Sequence, residues 1–312
     1  MRREGQGDRR AGRTAWAGVI STLDVFTARR FAGNPLAVVL NCSGLDAAAM
    51  QTVAREFNLP ETVFVFPPDD SKQRARVRIF TPARELPFAG HPTVGTAVLL
   101  VHLDGGEAAR EIVLAEQLGP VACRVQPREG GGNASFGIPK LPEKIGPVRD
   151  IGKLAAALSL NPGDLGCGGL APENWTAGNP FTFVPVRGLD AIGRARPNMS
   201  RWADVFGPAD PPGAFLFCRE VADPAHAFHA RMFAPAMGIL EDPATGSAAA
   251  AFAGVLADSG LGDGEHGFIL EQGYEMGRPS LLHLSLAMRG GKLAQATVGG
   301  DAVIVSEGMI EA

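Results

Sequence analysis

Apolar and polar positions along this chain mostly alternate with period two or run apolar over strand lengths, and only a few windows switch to helical spacing. Val19 to Phe26 and Leu36 to Leu40 read as strands. Ala32-Gly33-Asn34-Pro35 punctuates them as a turn, so the chain opens on a hairpin. Leu45 to Phe57 carries Ala47, Ala48, Met50, Val53, Ala54 and Phe57 at helical spacing behind Ser43-Gly44 and stops before Asn58-Leu59-Pro60. Thr62 to Phe66 is β-branched and aromatic, while Arg76 to Phe80 alternates charged and apolar as a half-exposed strand does. Thr93 to Leu103, after His91-Pro92, is apolar on most sides, which predicts a buried helix. Beyond the Gly130-Gly131-Gly132 turn and a proline-punctuated stretch from Pro139 to Pro147, a second series begins. It consists of a helix at Ile151 to Leu160, strands at Gly213 to Phe217 and Ala227 to Phe233, a buried helix at Thr245 to Ala257, and closing strands from His283 to Val305.

The second series repeats the first. Ala32-Gly33-Asn34-Pro35 returns as Ala177-Gly178-Asn179-Pro180, an offset of 145; Arg78-Ile79-Phe80-Thr81-Pro82 returns as Arg231-Met232-Phe233-Ala234-Pro235, an offset of 153; His91-Pro92-Thr93-Val94-Gly95-Thr96-Ala97 returns as Asp242-Pro243-Ala244-Thr245-Gly246-Ser247-Ala248, an offset of 151. Three matches in one order predict two copies of one fold. The expected division is a mobile tail at 1–17, an N-terminal repeat domain at 18–145 joined by a closing strand at 300–309, and a C-terminal repeat domain at 146–299. Strands interleaved with one buried helix per half, without sustained β-α-β alternation, favour an α+β class. Ligands in such a protein tend to lie between the halves.

Composition narrows the function. A net charge of −4 with no basic cluster in the body argues against nucleic acid as a partner. The longest apolar run outside the N-terminal region, Ala248 to Ala257, falls short of the ~20 residues that span a bilayer, so no membrane partner is expected. Cys42, Cys123, Cys167 and Cys218 have no regular spacing, which fits free thiols in a reducing, cytoplasmic compartment. A small molecule is the expected partner.

The candidate chemistry gathers where the repeats can be compared. His91 and Asp242 occupy equivalent positions before a proline, each expected just outside a helix start and facing the other across the cleft. Singly, Asp242 reads as well as a helix N-cap and His91 as a satisfied cleft-edge histidine; the repeat relation favours a functional pair. Gly95-Thr96-Ala97 and Gly246-Ser247-Ala248 keep the first turns small and leave backbone N–H groups open to an anion, although close helix packing asks for the same residues. Aligning Thr62-Val63-Phe64-Val65 with Ala214-Phe215-Leu216-Phe217 sets Glu61 against Gly213, so one half has an acid where the other has no side chain. Glu61 is either a solvated strand end or a desolvated acid whose raised pKa suits proton transfer. His226 and His229, three apart on an expected strand, should point to opposite faces, so no metal is expected. No dinucleotide motif follows a strand, and no cofactor is expected.

Five segments then resemble a known family: Asp24-Val25-Phe26-Thr27 with Gly33-Asn34-Pro35, Glu61-Thr62-Val63-Phe64-Val65, Phe80-Thr81-Pro82 with Glu85 through Thr93, Glu241 through Ala248, and Glu271-Gln272-Gly273 with Gly277-Arg278-Pro279-Ser280. From about residue 18 onward the chain is similar to the PhzF-like phenazine-biosynthesis family. The resemblance implies a diaminopimelate-epimerase-like fold of two pseudo-symmetric domains, each a mostly antiparallel or mixed sheet around a central helix, and a homodimer. It implies Glu61 as general acid/base, as in isomerisation of trans-2,3-dihydro-3-hydroxyanthranilate, with His91, Asp242 and Ser247 as supporting groups and Gly90 and Gly246 giving room and backbone donors. Related epimerases use one thiol from each half; here neither helix start carries Cys. The expectation is therefore a cofactor-independent isomerase of a small unsaturated or cyclic carboxylic or amino acid. Glu61, His91 and Asp242 carry its chemistry, and Gly90, Thr245, Gly246 and Ser247 hold the carboxylate. Competing expectations are a thiol-free racemase or epimerase and a non-catalytic small-acid-binding protein.

Overall fold

In the computed structural model, residues 16–208 and 210–311 are described. Residues 1–15 of the expected tail lie outside them, while Ala17 already opens the first strand, Ala17–Val25. That strand pairs antiparallel with Asn34–Leu40, which pairs parallel with Glu61–Phe66, which pairs antiparallel with Ala75–Phe80. The series continues through Arg110–Glu116, Gly119–Arg128 and Gly131–Gly137 to the C-terminal strand Lys292–Glu311, which returns to Ala17–Val25. The result is a closed ring of eight strands.

The helix Gly90–Asp104 fills that ring. It is apolar all round and buried from Gly90 to Val101, because strands surround it on every side. Gly95 permits the fit: a Cβ there would lie 2.6 Å from Leu36 Cδ2 and 2.8 Å from Val25 Cγ2. A second series runs through Glu143–Pro147, Glu173–Thr176, Pro180–Pro185, Ala214–Cys218, Phe228–Ala234, Gly264–Gln272 and Ser280–Arg289 to the near end of Lys292–Glu311. Within it the helix Gly246–Asp258 packs Phe252 among Phe183, Phe215, Phe217 and Phe228. The pairing pattern of the first half recurs here. Thr62 faces Phe80 as Ala214 faces Phe233, and the strands Glu61–Phe66 and Ala214–Cys218 each lie parallel to the one before.

Three expectations need correction. The central helix of the first half begins at Gly90, with Ala89 extended as its N-cap, so His91 and Pro92 lie inside the first turn. Pro92 is tolerated there because first-turn N–H groups have no partner within the helix. The expected helix Ile151 to Leu160 ends at Ala157. His226 precedes the strand Phe228–Ala234, so its ring and that of His229 do not diverge. Both rings bond Glu271, each at 2.7 Å. Among the described residues, no helix is long and apolar enough to cross a membrane.

Candidate active site

The parallel register that sets Leu36 beside Glu61 brings the head of the Glu61–Phe66 strand to the Asn34-Pro35 turn. Beside it, the first turn of Gly90–Asp104 presents His91, whose ring donates to the Pro35 backbone. His91 Nε2 lies 3.3 Å from Glu61 Oε2, with the two side chains only 6% and 12% exposed. From the other half comes Asp242, at the end of the short strand Ile239–Asp242. Its Oδ1 accepts from Asn34 Nδ2 at 2.9 Å and its Oδ2 from Thr245 Oγ1 at 2.6 Å. Gln272 completes the frame: it donates to the Asp242 carbonyl at 2.8 Å and to Thr245 Oγ1 at 3.0 Å, and accepts from the Thr245 backbone N–H at 3.1 Å.

Burial separates the charges of these groups. Desolvation, then the nearby Asp242 charge, pushes Glu61 up to about 8, so at neutral pH it is mainly a protonated acid. Desolvation holds His91 down at about 3, against the Pro35 bond, and the ring is neutral. Asp242 is raised by burial to about 6, held there by its bonds from Thr245 and Asn34, and is mainly ionised at pH 7. The 3.3 Å contact between His91 and Glu61 therefore joins two neutral groups and is no ion pair. His91 Nε2 has no hydrogen-bond partner in good alignment. The two carboxyls of the site thus differ in protonation state at pH 7.

The tips of the two central helices touch. A Cβ on Gly90 would lie 2.9 Å from Gly246 Cα, and one on Gly246 would lie 3.0 Å from Gly90 Cα. Neither Ala89 nor Thr245 caps its helix with a side chain, so the first-turn N–H groups remain donors. This geometry corrects the repeat alignment. Helix register pairs Gly90 with Gly246 and His91 with Ser247, so His91 and Asp242 are not equivalent; Asp242 stands four residues before its helix. The shared X-Pro dipeptide misled, because one proline lies inside a helix and the other before one.

All the expected residues, Glu61, His91, Asp242, Gly90, Thr245, Gly246 and Ser247, gather at this junction. Asn34 and Gln272 were missed as site residues, although each lay within a recognisable motif. The signal was Asn-Pro at a turn leading into a strand, and an amide in Glu-Gln-Gly beside a buried strand end. Arg278 also reaches across, donating to the Gly33 and Ala32 carbonyls, each at 2.7 Å, and to Asp24.

Two buried carboxyls, Glu61 and Asp242, thus lie beside two helix tips, framed by residues from both strand series. The family described as phenazine biosynthesis-like protein matches residues 23–308, and the chain belongs to that family and is an isomerase. It is 49% identical over 292 residues to an uncharacterized isomerase of Mesorhizobium japonicum, covering 92% of this chain and 96% of the relative. It is 33% identical over 289 residues to the trans-2,3-dihydro-3-hydroxyanthranilate isomerase of Pseudomonas fluorescens, covering 92% and 97%. The crystal structure of a Bacillus anthracis phenazine biosynthesis protein of the PhzF family superposes with a TM-score of 0.84 at 27% identity, over 95% of this chain and 99% of that one.

Proposed function

We propose that this isomerase moves a proton between carbons of one small unsaturated or cyclic carboxylic or amino acid, with Glu61 as the general acid/base and without a cofactor. The observation that carries the reading is the burial of Glu61 against His91, at 3.3 Å, in a site shared with the buried Asp242, a burial that raises Glu61 to about 8. A catalytic acid/base works best when its pKa lies near the operating pH. In its ionised form Glu61 takes a proton from a carbon next to the unsaturated acid and becomes the neutral acid. Glu61, its proton exchanging with solvent, then delivers a proton to another carbon of the same molecule. The N–H groups near Gly90, Gly246 and Ser247 offer preorganised donors to the substrate carboxylate and its developing charge. His91 Nε2 lies 3.3 Å from Glu61 Oε2, close enough to steer the Glu61 proton. The name of the Pseudomonas fluorescens relative supports a cyclic amino acid as the substrate class.

Asp242 serves this reading as a fixed charge. Both its oxygens are committed, to Asn34 and Thr245, which argues against its acting as the opposite-face acid of a racemase. We further propose two pseudo-symmetric domains, 18–145 with 300–309 and 146–299. Support comes from the recurring strand registers and from the C-terminal strand that closes the first ring. The unpaired state of all four cysteines supports a cytoplasmic location, and the family resemblance a homodimer. The test is turnover of dihydro-hydroxyanthranilate and related cyclic acids in deuterated water. Wild type should place label at carbon, and Glu61→Gln should lose label and product together, by at least about a hundredfold. Equal labelling by Glu61→Gln would sink the assignment.

A further inference from the structure

The strand Ala75–Phe80 forks. Its first residues pair with Arg110–Glu116 through Ala75 with Leu114 and Arg76 with Ala115, while its last pair with Glu85–Leu86 through Ile79 with Leu86 and Phe80 with Glu85. Between the prongs lies a cavity of about 430 Å³ lined by Gln73, Arg76, Arg78, Glu85 and Glu116 among others. None of the acid/base residues described above lines it.

Its buried carboxyl, Glu116, is only 7% exposed and has no cationic partner. Thr93 Oγ1 lies 2.7 Å from the Ala89 carbonyl oxygen and 2.6 Å from Glu116 Oε1. A hydroxyl has one proton and a carbonyl only accepts, so both short contacts are satisfied together only when Glu116 is the protonated partner, donating to Thr93. Burial acts the same way, raising Glu116 to about 8. Glu116 Oε2 is then a bare acceptor. It has no hydrogen-bond partner, and neither does Gln73 Oε1 nor Arg76 Nε. Three of the eight such buried atoms among the described residues belong to residues lining this one cavity. Arg78 is closed off by a bidentate pair with Glu85, whereas Arg76 Nε sits 3.1 Å from the exposed Asp69 without hydrogen-bond alignment. The two arginines balance Asp69 and Glu85, so a guest without net charge fits best.

We propose that this fork binds a free amino acid or close analogue, whose ammonium donates to Glu116 Oε2 and Gln73 Oε1 and whose carboxylate meets Arg76. The proposal does not depend on the reaction run in the cleft.

The experiment is an NMR titration of the full chain with glycine, ethylammonium chloride and sodium acetate, each into the tens of millimolar. Glycine should shift the Thr93 methyl and Ala115 amide signals saturably, ethylammonium more weakly, and acetate not at all. Glu116→Leu should weaken glycine binding at least tenfold and Gln73→Ala, at the cavity rim, several-fold, while Glu61→Gln leaves it unchanged. No saturable shift in wild type, unaltered binding in both fork variants, or loss in Glu61→Gln would overturn the site. Ethylammonium binding as tightly as glycine would overturn the amino-acid assignment.

Discussion

The role proposed for Glu61 rests on where its strand starts. At the head of an apolar strand, against His91 and near Asp242, its carboxyl is cheaper to bury neutral than ionised. A base that must lose its proton before it can take one from carbon gives kcat/KM that rises with pH through about 8 and then levels; a profile flat from pH 6 to 9 would contradict this. The same pKa acts on stability. Folded Glu61 at about 8 lies above its unfolded value of 4.5, so the native state holds a proton that the unfolded chain releases, and stability falls as pH rises from 4.5 to 8. Melting temperatures measured from pH 5 to 8 should therefore decline in wild type and decline less in Glu61→Gln. Asn34→Ala removes one donor from Asp242, which should raise that carboxyl above about 6 and cost roughly 1–3 kcal/mol of stability, measurable by urea unfolding.

At the scale of elements, the two helix tips set the precision of the site. A Cβ at Gly90 meets the backbone of Gly246, with no flexible side chain to yield. Gly90→Ala should therefore part the tips and reduce kcat about a hundredfold with a much smaller loss of melting temperature; full activity in that variant would refute the role of the contact. The elements themselves were legible from the chain, because their signals are local. Apolar residues all round Thr93 to Leu103 announced a buried helix, and alternation at Arg76 to Phe80 announced its strand. Positions within elements were less so. His91 looked like the counterpart of Asp242 because a shared proline outweighed helix register, and the convergence of His226 and His229 on Glu271 depends on where a strand begins, to within one residue. Asn34 and Gln272 were hidden because their partners lie 208 and 30 residues away.

Across the whole molecule, the C-terminal strand does the most to join the halves. Lys292–Glu311 pairs with Ser280–Arg289 at one end, with Gly131–Gly137 in its middle and with Ala17–Val25 at the other end, so one segment belongs to both strand series. Removing residues 300–312 leaves Ala17–Val25 and Gly131–Gly137 with open edges. The truncated chain should lose the dispersed methyl NMR spectrum of a packed core; a native-like spectrum would show that the ring closes without this strand. The asymmetric acid sits where that closure brings the two helices together, and its proton is the centre of the account. Titrating wild type against Glu61→Gln by carboxyl infrared or carbon-13 NMR measures it directly. One carboxyl assigned to Glu61 should titrate near pH 8, and a midpoint near the ordinary 4.5 would contradict the account.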